Sequence, residues 1–146
     1  MTHHTKRILL PIDGSEASVK AAGYALRITK VLDSDLKCIH VIDSPLFIKG
    51  MNPALVALFF SRAEKHANKW IGDIEEMAKK EKVNMTSEII IDVPSVPNAI
   101  MEYAKKHQMD LIIIGMRGRT GAKKLLLGSV ANSIAMHASC PVLLVP

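Results

Sequence analysis

The sequence predicts an α/β fold: a doubly wound, five-stranded parallel sheet with helices on both faces. Three observations predict it. Short apolar runs alternate with segments of helical periodicity along the whole chain. The apolar runs are nearly continuous rather than alternating, as in strands covered on both faces. A glycine-rich stretch directly follows the apolar run Leu111-Ile112-Ile113-Ile114 and leads into a further helical pattern. Strand, helix and strand in repetition make βαβ units, whose crossovers are right-handed.

Arg7 to Ile12 reads as the first strand; Pro11 is tolerated near its end, where ladder bonds run out. Asp13-Gly14-Ser15-Glu16 then starts a helix that runs to about Leu32, capped by Asp or Ser. Its inner face is Ala22, Ala25, Leu26 and Thr29. Leu36 to Ile42 is the second strand, and Asp43 to Asn52 a loop. Pro53 suits the first turn of a long helix reaching about Glu81, on which Trp70, Ile74 and Met77 recur at helical spacing. Met85 to Ile91 is the third strand. Pro94 and Pro97 bracket a turn before a helix over Asn98–His107, with Ile100, Tyr103 and Ala104 inward. Leu111 to Ile114 is the fourth strand, Ser129 to about His137 the last helix and Val142 to Val145 the fifth strand.

At 146 residues the chain has the length of one domain, spanning 1–146, large enough to bury roughly two-thirds of its unfolded surface. Hydrophobic residues make up 49% and charged residues 23%, the balance of a soluble globular protein. No run approaches the ~18 apolar residues of a membrane span. The N-terminus enters a strand without a signal-peptide core, so a cytoplasmic location is expected. Cys38 and Cys140 form no C-x-x-C pair and read as small core residues. The net charge of +5 comes from scattered lysines and arginines, except for Lys123-Lys124 and for Arg117 and Arg119. That distribution favours a local anion site over a nucleic-acid face. With 4% aromatics there is also no platform for stacking bases.

The chemistry concentrates at the ends of two strands. In a doubly wound sheet ligands collect at the carboxyl ends of the strands, at the topological switch point. Gly115-x-x-Gly118 and Gly128-Ser129 sit there, after strand four and before a helix. Glycine permits a turn at φ > 0 and a close approach of ligand to backbone. The helix start adds unpaired N–H groups and the positive end of a dipole. Arg117, Arg119, Thr120 and Ser129 could neutralise or hydrogen-bond a phosphate. The bland alternative is that the glycines only turn the chain and Ser129 caps the helix. The pattern is neither the P-loop nor the dinucleotide fingerprint. Asp13, just past strand one, could accept hydrogen bonds from a ribose hydroxyl or an amino group. Alternatively it caps the helix, with Glu16 completing a capping box. A role for Val41 would come through its backbone. His40, Asp43 and His137 show no metal or catalytic spacing, so no catalytic residue and no metal ligand is assigned. Ala54 to Phe60 reads as a buried helix turn, otherwise as part of a contact surface.

Gly115-x-x-Gly118-x9-Gly128-Ser129, Pro11-x-Asp13-Gly14-Ser15 and His40-Val41-x-Asp43 together resemble the universal stress protein family, in its ATP-binding class. The ending Gly128-Ser129-Val130-Ala131 to Cys140-Pro141-Val142-Leu143-Leu144-Val145 is similar throughout, and the resemblance runs from Lys6 to Val145. It implies a Rossmann-like sheet of order 3-2-1-4-5, with Asp13 and the glycine loop across one crevice. It implies a nucleotide site of Pro11, Asp13, Val41, Gly115, Met116, Arg117, Gly118, Arg119, Thr120, Gly128, Ser129 and Val130. Asp13 would face the ribose or adenine side, the Val41 backbone adenine, and the glycine loop the phosphates. ATP, or ADP or AMP, would be the ligand, with Mg²⁺ beside a triphosphate. A homodimer through Val142 to Val145 would cover an otherwise unpaired strand edge. Two departures are visible. The turn Asp92-Val93-Pro94-Ser95-Val96-Pro97 lacks the glycine common there, and the loop carries Met116-Arg117 where many members have smaller or His-containing pairs.

The function this implies is nucleotide-dependent regulation in a stress response, with an unknown protein partner and at most slow or partner-dependent hydrolysis. An enzyme acting on the nucleotide, such as an ATPase or phosphotransferase, is the alternative, although no general base stands near the loop. A nucleotide-independent interaction module is the third reading.

Overall fold

Alternate residues of the first strand point into two separate cores, and this divides the molecule into layers. The structure is a computed structural model that describes residues 4–119 and 127–146. Its elements are β1 (Arg7–Pro11), α1 (Glu16–Leu32), β2 (Asp35–Asp43), a short 3₁₀ helix (Leu46–Gly50), α2 (Pro53–Glu81), β3 (Met85–Val93), α3 (Val96–Lys106), β4 (Leu111–Gly115), α4 (Ser129–His137) and β5 (Val142–Val145). The five strands form one parallel sheet in the order β3-β2-β1-β4-β5. Ile8 and Leu10 pack with Ala22, Ala25 and Leu26 of α1 and with Ile71 and Ile74 of α2. Leu9 packs on the other face with Ile39, Ile112, Ile100 of α3 and Ile134 of α4. This is the expected doubly wound sheet, with helices on both faces.

The helix starts follow from local chemistry. Ser15, not Asp13, caps α1: its hydroxyl accepts from the Ser18 amide at 3.2 Å. Glu16 is then the first helical residue, so the capping box expected between Asp13 and Glu16 does not form. Asn52 caps α2, with Pro53 next to it, and Ser95 caps α3. Pro97 lies inside the first turn of α3, where its missing N–H costs nothing, rather than at the edge of a turn before it. The loop expected over Asp43–Asn52 contains the 3₁₀ turn, which buries Ile48. Asp92 supplies what the absent glycine would have supplied. It adopts φ +59°, and its carboxylate accepts from the Ser44 hydroxyl. Aspartate tolerates the left-handed region better than most residues.

One expectation fails. Ala54 to Phe60 is not a buried helix turn: Leu55 is 51% exposed and Leu58 45%. With 29 residues, α2 is roughly 40 Å long, well beyond the length of the sheet it covers. Its buried residues start at Ala67, so the first turns overhang the carboxyl end of the sheet. No described helix is long and apolar enough to cross a membrane. Cys38 is buried, and burial pushes its thiol up to about 12; Cys140 is half-buried and raised too. Neither is positioned to be reactive.

Two substitutions test the packing. A Cβ at Gly115 would stand 2.8 Å from the Ala17 carbonyl carbon. Gly115→Ala should lower stability by about 1–3 kcal/mol in urea unfolding, and an unchanged midpoint would contradict the close approach. The Thr29 hydroxyl is buried without a hydrogen-bond partner among the described residues. Thr29→Val, of the same shape, should raise stability by about 1 kcal/mol in the same assay; a loss would mean the hydroxyl is satisfied.

Candidate functional site

The strand order reverses between β1 and β4, so the chain leaves β1 toward one face and β4 toward the other. A cavity of 670 Å³ opens at their carboxyl ends. Pro11, Asp13, Val41, Gly115, Met116, Arg117, Gly118, Arg119, Gly128, Ser129 and Val130 all line it. Of the residues expected at the site, Thr120 alone lies outside the described residues, as do Lys123 and Lys124.

Asp13 ties the two sides of the crevice together. Its Oδ1 accepts from the amide and hydroxyl of Ser15, at 2.9 and 2.5 Å. Its Oδ2 accepts from the Arg119 amide at 3.2 Å, across the cavity mouth. Asp13 therefore caps no helix. It fixes the β1–α1 turn and holds the start of the glycine loop beside it.

The loop glycines are needed for space rather than for an unusual backbone. Among the described glycines Gly14 alone has positive φ, at +80°. A Cβ at Gly118 would stand 3.1 Å from Asp13 Oδ2, and one at Gly128 would stand 3.2 Å from the Met116 carbonyl oxygen. The expectation of a φ > 0 turn at these glycines is thus corrected: Gly128 sits at φ −67°. Gly115 is demanded by helix packing against Ala17 rather than by a ligand. Gly128 is the N-cap of α4 and donates its amide to the Met116 carbonyl at 2.6 Å, which closes the loop. Ser129 is the first helical residue and not its cap. Its amide and that of Val130 have no acceptor among the described residues, and both residues face the cavity. Two donors at a helix N-terminus, with Arg117 and Arg119 near, form an anion-receptive end. The cavity also has an apolar part to its lining, with Val41, Ile42, Val96 and Ile100.

Reading the sequence missed one wall. The overhanging turns of α2 place Leu55, Leu58, Phe59, Arg62, His66 and Trp70 along the cavity. Their spacing of three and four residues was visible as helical periodicity. What it could not show is that this face meets a cavity rather than a core. Among the described residues no three His, Cys, Asp or Glu side chains converge as a metal cage.

Comparison with known proteins places this geometry. The family model described as "Universal stress protein family" matches residues 4–146. A universal stress protein of Methanocaldococcus jannaschii is 34% identical over 96% of this chain and 81% of its own length. Universal stress protein UspA from Lactobacillus plantarum has the same fold, with a TM-score of 0.88 at 24% identity over 99% of this chain and 100% of that one. A universal stress protein from Archaeoglobus fulgidus, solved in complex with dAMP, has a TM-score of 0.69 at 17% identity over 98% of this chain and 99% of that one. The chain belongs to the universal stress protein family.

His40, which the sequence offered only as part of the His40-Val41-x-Asp43 motif, also lines the cavity. Its Nδ1 lies 2.6 Å from the Ile12 carbonyl oxygen, so that nitrogen bears the proton and donates. Burial is the largest cause that lowers its pKa; the nearby Arg119 adds to this, while the Ile12 bond and Asp13 oppose it. A histidine held neutral in the folded state contributes stability that is complete above its unfolded pKa of 6.5. That stability is lost as pH falls below 6.5 toward the folded value. His40→Gln should therefore flatten the fall of the urea midpoint between about pH 7 and pH 5. Parallel pH profiles for the two proteins would show that His40 is not held neutral.

Proposed function

We propose that the crevice holds an adenine nucleotide, with the phosphates on the loop and α4 and the base in the apolar end. The observation that carries this reading is the pair of Ser129 and Val130 amides facing a cavity that also holds Asp13 and an apolar recess. One end suits an anion and the other a flat apolar ring, with a carboxylate between them for hydroxyls. The dAMP complex of the Archaeoglobus fulgidus relative supports an adenine nucleotide as the ligand class. Gly115, Met116, Arg117 and Gly118 would wrap the phosphates, with Gly128 leaving them room. Pro11 and Val41 would border the base. Thr120 belongs to the proposed loop by its position in the sequence.

ATP, ADP and AMP share these features, and Arg117 and Arg119 could pair with the added charge of a longer phosphate chain. A Mg²⁺ ion would be carried by the triphosphate with one carboxylate, Asp13 or Asp43, rather than by a protein cage. Its chemistry there would be charge neutralisation between phosphate oxygens. Asp13, the carboxylate beside the loop, is engaged: it accepts from Ser15 and from the Arg119 amide. This favours binding and regulation, in a stress response with a protein partner, over rapid hydrolysis. β5 is an edge strand with Leu143 36% exposed, which supports a homodimer through Val142 to Val145.

Isothermal titration with AMP and with ATP and Mg²⁺ tests the reading. Saturable binding is expected, weakened about tenfold or more by Gly118→Val, a loss of ~1.4 kcal/mol. A valine there would push on Asp13 Oδ2 and intrude on the phosphate space. A flat titration of the unaltered protein would remove the proposal.

A further inference from the structure

The strongest unexplained feature beside the loop is the environment of Trp70. It is the one tryptophan of the chain, placed on the overhanging face of α2. Its indole is contacted by Gly14, His40, His66 and Arg119. Gly14 presses on it so closely that a Cβ there would stand 2.3 Å from Cε2. The His40 ring meets it edge-on, with centroids 5.3 Å apart, and the His66 ring stacks at 6.0 Å. The Arg119 guanidinium, reaching from the glycine loop, lies 5.0 Å from the indole centroid. The Arg119 amide is at the same time held by Asp13. Both the backbone and the side chain of Arg119 are thus fixed, at the mouth of the crevice.

An arginine resting on an aromatic ring spends its flat face and keeps its N–H donors, which point outward in its own plane. Arg119 has no carboxylate partner among the described residues, so those donors are open to an anion. Holding a long side chain in place before binding removes an entropy cost at the moment of binding. We infer that Trp70 is a positioning residue: it presents Arg119 as a preformed receptor for the phosphate end of the ligand, and so makes the site discriminate a nucleotide from its uncharged nucleoside. The inference rests on the reading of the crevice as a nucleotide site and adds the residue that selects for charge.

The test compares AMP, adenosine and inorganic pyrophosphate on the unaltered chain, Trp70→Leu, Trp70→Phe, Arg119→Gln and the double variant Trp70→Leu/Arg119→Gln. Trp70→Leu and Arg119→Gln should each weaken AMP and pyrophosphate about three- to tenfold, and change adenosine by less than about twofold. Trp70→Phe should recover most of the loss. The double variant should be no weaker than Arg119→Gln, because Trp70 acts through Arg119. Pyrophosphate should also change the tryptophan emission of the unaltered chain and leave that of Arg119→Gln unchanged. Three results would overturn the inference: Trp70→Leu weakening adenosine as much as AMP, Trp70→Leu costing as much without Arg119 as with it, or Arg119→Gln leaving both anions unaffected. If Trp70→Leu does not fold, Trp70→Phe and Arg119→Gln, a surface change, decide the matter. Pyrophosphate separates the two levels: AMP failing while pyrophosphate binds through Arg119 defeats the nucleotide reading alone. Failure of every ligand defeats both.

Discussion

The approach of β4 to the first turn of α1 is the constraint on which the crevice depends. Gly115 ends β4 against the Ala17 backbone, at a distance that excludes even a methyl group. That contact sets how near the glycine loop can come to the β1–α1 turn. Because it is near, Asp13 can reach the Arg119 amide, and a side chain at Gly118 would crowd the Asp13 carboxylate, 3.1 Å from its Cβ. Because the chain leaves β1 and β4 on opposite faces, the space between the two turns stays open. Packing in the hydrophobic layers and the shape of the site are therefore one problem. A larger residue at position 115 would change both.

The strands, the four α-helices and their two layers were legible because apolar runs and helical spacing report burial directly. The position of the glycine loop was legible too, since strand, glycines and helix succeed one another in the chain. The resemblance added the sheet order, which no local pattern encodes. The misreadings share one cause. Ala54 to Phe60 is as apolar as a core segment, but it lies beyond the end of the sheet, where no core exists to receive it. Trp70 was placed by helical spacing alone, and spacing tells which way a side chain points along its element. It does not tell whether a layer or a cavity lies opposite. The glycines were read for φ and are required for volume, a distinction that depends on neighbours more than a hundred residues away for Asp13 and Gly118. Asp92 is the converse case: an unusual backbone angle carried by a residue that does not advertise it.

The two halves of the crevice differ in how ready they are for a ligand. On the anion side, described amides at both ends of the loop are already paired. Gly128 N–H is paired with the Met116 carbonyl and Arg119 N–H with Asp13. These bonds tie the described ends of the loop to each other and to the β1–α1 turn, so that part of the order need not be supplied by the ligand. On the apolar side, the overhanging face of α2 has Leu55 and Leu58 half in solvent. Leaving these in water forgoes about 25 cal/mol per Å² of apolar surface. An occupant that covers them recovers some of it.

This asymmetry bears on what the protein could report to a partner. A preformed anion end changes little when it fills, and so transmits little. The overhang of α2 is different, for none of its first turns is buried in the sheet layers. Segments with few buried apolar contacts open at low free-energy cost. Trp70 stands where the anchored part of α2 meets the overhang, and it touches the β1–α1 turn, β2 and the loop through Gly14, His40 and Arg119. A charge arriving at Arg119 therefore acts at the base of a wall that the sheet layers do not hold. Its differential affinity for two positions of that wall is the largest shift it can drive. Under the proposed reading, any link from a filled site to the overhang of α2 would pass through the Trp70 indole.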